Sequence, residues 1–259
     1  TMEKNNKKLG IIQSRGLGDI FIALPIAHYY HKQGYEIYWP VCDEFMGSLV
    51  SPVPWVNWIS VPVDPWGLYF YNAPVSLLAN EGVEQVLCLY QSLTGHPEFT
   101  RVPWFQIQKF DEYKYTRAGV PFVNKWKLGE CITRDPDQEL TLFNKVVKHH
   151  QYYVTHLEGS NFNTDIDLPD LPDSWQRVSI TPGLTDNIFD WLTIIENAQL
   201  LVCIDSCVAN LVDQLGLPVK EKIWIPRSHI HATPVLGGTW TIATPPAISA
   251  AAREIFKTS

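Results

Sequence analysis

The chain has 259 residues, 46% hydrophobic and 18% charged, enough apolar matter for one large domain or two ordinary ones and too much for a disordered chain. A formal net charge of −7 with a pI near 5.6 argues against a broad electrostatic grip on nucleic acid or on an anionic membrane. No apolar run reaches the ~20 residues of a transmembrane helix. The five cysteines are odd in number, scattered and without a CxxC pair, which argues against a disulfide framework or zinc site and fits a reduced, cytoplasmic setting.

The chain starts with a basic stretch, TMEKNNKKLG, that leads into a glycine-broken strand rather than a signal peptide. Residues 9–14 form a short branched apolar run, the pattern of a buried parallel strand. Arg15-Gly16-Leu17-Gly18 follows as a loop whose glycines allow positive φ and close backbone approach. Asp19 then stands where a helix N-cap belongs, ahead of the apolar run 20–27. The loop is no Walker A, since no Gly-Lys-Ser/Thr closes it, and Phe21 occupies the third glycine position of a dinucleotide fingerprint. A strand, a glycine turn and a helix N-terminus form a ligand seat in open α/β sheets. From the residues alone, Asp19 is either an N-cap or a catalytic base.

Further strands are expected at 35–39, 58–63 and 84–89, with Pro62 weakening the second of them. A short helix follows Asp43 as far as residue 50, another covers 74–80 with Pro74 at N1, and 105–118 has helical spacing. Repeated βα units imply a parallel sheet covered on both faces. The aromatics between Trp55 and Trp126 read as packing, with a stacking platform for a sugar or base as the functional alternative.

The second half restarts the same logic, so a boundary is placed near Arg134. Asp135-Pro136-Asp137 opens a helix over 138–150. Strands are expected at 152–157, 177–181, 200–204 and 222–225, helices at 186–198 and 206–215, and a last helix at about 247–257. The strand 152–157 ends in the polar loop Glu158-Gly159-Ser160-Asn161, and 200–204 runs straight into Asp205-Ser206. The helix after Ser206 offers free N–H groups to a phosphate, or Asp205 and Ser206 merely cap it. Cys203 and Cys207 read as small core residues, and His149-His150 and His229-x-His231 as surface or loop histidines rather than metal ligands.

Two segments together resemble glycosyltransferase family 9, the heptosyltransferase-like enzymes. One is Gly18-Asp19-Ile20-Phe21-Ile22-Ala23-Leu24-Pro25. The other runs from Ala198-Gln199-Leu200 to Asp205-Ser206, with Gly216-Leu217-Pro218 closing the next helix. The resemblance implies an α/β chain of GT-B type, with parallel sheets in two Rossmann-like domains facing a cleft. Residues 1–134 would hold the acceptor, 135–245 the nucleotide-sugar, and 246–259 a C-terminal helix packing back on the first domain. It implies metal-independent, inverting transfer of a sugar from a nucleotide diphosphate to a hydroxyl acceptor, with no cofactor beyond the nucleotide-sugar. Asp19 maps onto the family's base. Asp205, Ser206, Cys207, Ser160 and Arg227 would line the donor diphosphate, and Arg15, Gly16, Gly18 and Glu158 the acceptor side or cleft. Where members carry His in the helix after the Asp-Ser, this chain has Asn210, so Arg227 or Lys220 and Lys222 would supply the basic partner of the phosphates. Two alternatives stay open: a phage-type glycosyltransferase acting on modified DNA bases, and a catalytically inactive nucleotide-sugar-binding protein.

Overall fold

The computed structural model describes residues 7–90, 108–159, 163–164, 171–226 and 233–243. The chain divides into two compact units, Thr1–Arg134 and Asp135–Ser259. Each is built on its own all-parallel sheet.

In the first unit, β1 (Lys8–Ile12) pairs with β2 (Glu36–Cys42) on one side and β4 (Gln85–Cys88) on the other, and β3 (Val56–Val61) extends beyond β2. The order β3-β2-β1-β4 puts the first strand in the middle. Helix α1 (Leu17–His31) follows β1, and every residue from Ile20 to Ala27 is buried, so the helix is apolar all round and lies inside the unit. It packs against α4 (Phe110–Ala118) and the helical stretch Phe122–Glu130. Pro25 sits inside α1, and one turn away the Tyr115 hydroxyl donates to the Ile22 carbonyl at 2.9 Å.

On the β1 face, α3 (Asn72–Asn80) approaches the strand at Gly10. A Cβ there would stand 2.7 Å from Leu78 Cδ1 and 3.1 Å from Val83 Cγ1, so the glycine makes room for the helix. Gly10→Ala is therefore expected to destabilise the unit by about 1–3 kcal/mol, the cost of overpacking a filled core, read as a lower urea midpoint with an unchanged slope.

The second unit has the order β6-β5-β7-β8-β9, with β5 (Tyr152–His156), β6 (Gln176–Ser179), β7 (Leu200–Ile204), β8 (Lys222–Ile225) and a two-residue edge strand β9 (Thr241–Ile242). Every residue of β7 is buried, as its branched run predicts. Helix α5 (Pro136–Val146) is capped by Asp135, whose Oδ1 accepts from the Asp137 and Gln138 amides, with proline at N1. Helix α7 (Cys207–Leu215) ends on Gly216 in the left-handed region at φ 59°. Among the described residues, no helix is long and apolar enough to cross a membrane.

Several elements depart from the sequence reading. The helix placed at 74–80 starts at Asn72, so Pro74 is its third residue rather than N1. After Asp43 the chain makes a 3-10 turn, Asp43–Phe45, and then α2 (Met46–Leu49), with no side-chain cap. The helix placed at 186–198 is a 3-10 turn, Ile188–Trp191, followed by α6 (Leu192–Glu196). Asn187 caps it by accepting from the Phe189 amide at 3.0 Å. Strand β9 was not expected. The part of the fourth helical stretch before residue 108 and the last helix lie outside the described residues.

Candidate functional site

A parallel sheet binds ligands at the carboxyl ends of its strands, where the chain's crossovers turn from one side to the other. In the first unit that point lies between β1 and β4, and in the second between β5 and β7. Both sequence motifs fall there.

At the first point, the residues after β1 are held by Tyr90, just past β4. Its hydroxyl oxygen accepts from the Ser14 amide at 3.0 Å and the Arg15 amide at 3.1 Å. Ser14 Oγ lies 3.0 Å from the same hydroxyl and gives its own proton to the Tyr69 carbonyl at 2.6 Å, so Tyr90 donates to Ser14. Burial pushes the Tyr90 phenol well above its ordinary range, which keeps that proton in place.

Helix α1 begins three residues earlier than expected. Its N-cap position is Gly16 at φ 83°, and Asp19 lies in the first turn rather than at the cap. The N-cap alternative for Asp19 is thereby corrected. Only glycine fits at position 16, because a Cβ would stand 2.7 Å from Asp19 Oδ2 on a backbone that L side chains rarely adopt. The other carboxylate oxygen, Oδ1, lies 3.1 Å from Lys114 Nζ. Arg15 pairs with Glu44 at 3.1 Å and lies 5.4 Å from the Tyr69 ring centroid. Gly18 is the second residue of α1, so the two glycines have different jobs.

At the second point, Ser206 occupies the N-cap position of α7, but its side chain does not cap the helix. Its hydroxyl meets His156 Nδ1 at 2.9 Å, across from the end of β5. Cys203 Sγ lies 3.5 Å from the same hydroxyl. Burial pushes the Cys203 thiol up to about 12, so this sulfur stays protonated and inert. Asp205 is buried, and its amide donates to the Ile225 carbonyl at 2.9 Å, locking the end of β7 to β8. Cys207, read from the sequence as core, is only half-buried at the first position of α7, while the other four cysteines are buried. Iodoacetamide at pH 8 is accordingly expected to label Cys207 well before the other four, as peptide mass spectrometry would show. Asn210 donates to the Ser206 carbonyl at 3.2 Å, and its Oδ1 has no hydrogen-bond partner among the described residues.

Two of the basic partners named from sequence, Lys220 and Lys222, are not at this end of the sheet. Lys222 pairs in register with Leu201, near the start of β7, and leans over the Trp240 ring at 5.0 Å. Lys220 precedes it and donates to Gln199. Both therefore belong to the amino end of the sheet, opposite Asp205 and Ser206. Glu158 is exposed and bridges to Asn163. Ser160, Arg227 and His229-x-His231 lie outside the described residues, and no group of three or more metal-ligating side chains occurs among those described. Among the described aromatics between Trp55 and Trp126, Tyr113 and Tyr115 are buried, whereas Trp66 is 81% exposed.

Lys114, Tyr90 and His156 are among the residues at these points not named from the sequence, brought in by pairing across the sheets and by helix packing that no local pattern reveals.

No protein-family model matches the chain, and no curated protein matches it in sequence. Solved structures share its fold. A glycosyl transferase family 9 protein from Veillonella parvula superposes with a TM-score of 0.56 at 10% identity, over 98% of this chain and 92% of that one. The Escherichia coli heptosyltransferase WaaC, solved with ADP, gives 0.52 at 12% identity, over 97% and 100%. The iron-containing dodecameric glycosyltransferase TibC of enterotoxigenic E. coli gives 0.53 at 8% identity, over 90% of this chain. This chain spans 62% of TibC's length. TibC has also been solved in complex with ADP-D-beta-D-heptose, a structure that matches at 0.51 and 10% identity. The two parallel-sheet units are thus those of the GT-B, heptosyltransferase-like fold.

Proposed function

We propose that this chain is a glycosyltransferase that moves a sugar from a nucleotide diphosphate to a hydroxyl acceptor, with inversion and without a metal ion. The observation that carries this reading is the placement of Asp19, a half-exposed carboxylate at the crossover point of the first sheet, in a fold shared with heptosyltransferases. The acceptor oxygen attacks the anomeric carbon and gives its proton to Asp19, while the bond from that carbon to the diphosphate breaks. One displacement inverts the anomeric centre. The departing diphosphate takes up negative charge, which the amides of the first turn of α7 and the Ser206–His156 pair are suited to receive.

The donor site is tested by a thermal-shift panel of nucleoside diphosphates and nucleotide-sugars, starting with ADP and ADP-heptose. A true donor at one hundred times its Kd is expected to stabilise the fold by about 2.7 kcal/mol, and the same ligand should slow labelling of Cys207. If no nucleotide shifts the melting curve, the donor reading fails.

A further inference from the structure

Lys114 is a buried charge of the first unit whose place packing does not explain. Its side chain is 4% exposed, and the ammonium makes three contacts: Gln13 Oε1 at 2.7 Å, the Leu89 carbonyl at 3.0 Å and Asp19 Oδ1 at 3.1 Å. Those three acceptors use its three N–H groups. Burying an ammonium is costly, and an apolar side chain of similar volume at this place would hold α4 to the sheet at least as well.

The neighbours aim the charge. Gln13 donates its Nε2 to the Arg15 carbonyl at 2.8 Å, so its Oε1 is the atom turned to Lys114. Trp39 Nε1 in turn donates to the Gln13 carbonyl at 3.0 Å. Leu89, just after β4, supplies a fixed backbone acceptor. The ammonium is thereby fixed by two neutral groups, and the third direction meets the Asp19 carboxylate, whose side chain is 36% exposed. Its other oxygen lies over Gly16. Asp19 is gripped at Oδ1 from within and shaped at Oδ2 by the glycine turn.

We infer that Lys114 is a positioning residue for the transfer reaction, holding the Asp19 carboxylate in the one orientation from which it can take the acceptor's proton. This rests on the glycosyltransferase reading above. A base that must meet a proton within hydrogen-bond reach loses rate steeply when it is free to swing.

The experiment follows release of nucleoside diphosphate from ADP-heptose, or from whichever nucleotide-sugar stabilises the protein most, with water as the acceptor. Wild type, Asp19→Asn, Lys114→Met, Gln13→Glu and the Asp19→Asn/Lys114→Met double variant are compared. Lys114→Met is expected to lower kcat by about 10–100-fold and leave the donor KM within about twofold, the split a purely structural role would not produce. Gln13→Glu offers the ammonium a rival carboxylate while keeping it neutralised, and is expected to lower kcat in the same direction by less. This variant decides the matter if Lys114→Met does not fold. Adding Lys114→Met to Asp19→Asn should cost nothing further, because the lysine acts through the aspartate. Folded Lys114→Met or Gln13→Glu protein turning over at the wild-type kcat, or losing only donor affinity, overturns the inference. Wild-type turnover by Asp19→Asn, or no turnover by wild type, overturns the glycosyltransferase reading itself.

Discussion

Asp19→Asn is expected to slow turnover of the nucleotide-sugar by about 10²–10⁴-fold, the usual worth of a positioned general base, with the donor's thermal shift unchanged. Asparagine has nearly the shape of aspartate and still offers an oxygen to Lys114 at the same place. What it lacks is the capacity to accept a proton at the acceptor side. The donor contacts proposed here lie on the second unit, so binding and chemistry should separate cleanly. Equal loss of the thermal shift in the variant would mean that Asp19 supports the donor rather than the acceptor.

The largest expected effect on stability lies at Lys125 and Asp111. Their side chains are 1% and 0% exposed, and Nζ stands 2.8 Å from Oδ2. The Glu112 amide donates to the other oxygen of Asp111 at 3.0 Å, and the Trp126 ring centroid lies 5.4 Å from the ammonium. Lys125→Met takes the lysine's charge away from a buried carboxylate, and a loss of about 3–5 kcal/mol is expected, enough to unfold a marginal domain. The paired change Asp111→Leu/Lys125→Met removes both charges and should restore most of that loss, because a buried ion pair contributes little net stability over apolar packing. Urea denaturation of the two single variants and the double variant measures the difference. Failure of the double variant to recover would assign the pair a role beyond its own neutralisation. The pair ties α4 to the stretch Phe122–Glu130, and α4 carries Lys114, so loosening it should also disturb the hold on Asp19.

How much of this was legible in the sequence depended on how local the cause was. Strands β7 and β8 are readable to the residue because β7 is a continuous apolar run and β8 a short apolar one after Lys222, each bounded by polar chain. The cap at Asp135 is equally local. The start of α1 was misplaced because an aspartate before an apolar run is the usual N-cap signal, while the actual turn uses the positive φ of Gly16. Lysines 220 and 222 were offered to the phosphates on nearness in sequence to the Asp205 motif. Strand register puts them at the far end of the sheet. Lys114 and Gln13 are 101 residues apart, and His156 and Ser206 are 50 apart, so no window of sequence shows either meeting. The motifs mark where each crossover point lies, and what surrounds them is set by the sheet order.

The all-apolar girth of α1 has a bearing on how the chain is made. Part of this helix's cover, the stretch Phe122–Glu130, is encoded about a hundred residues after it. At a synthesis rate of about 5–20 residues per second, the run from Ile20 to Ala27 waits about 5–20 s for that part of its cover. During that interval it is an adhesive segment on a nascent chain, the kind that holdase chaperones bind. Slower translation between residues 31 and 122 should therefore lower the yield of folded protein, whereas slowing after residue 134 should not.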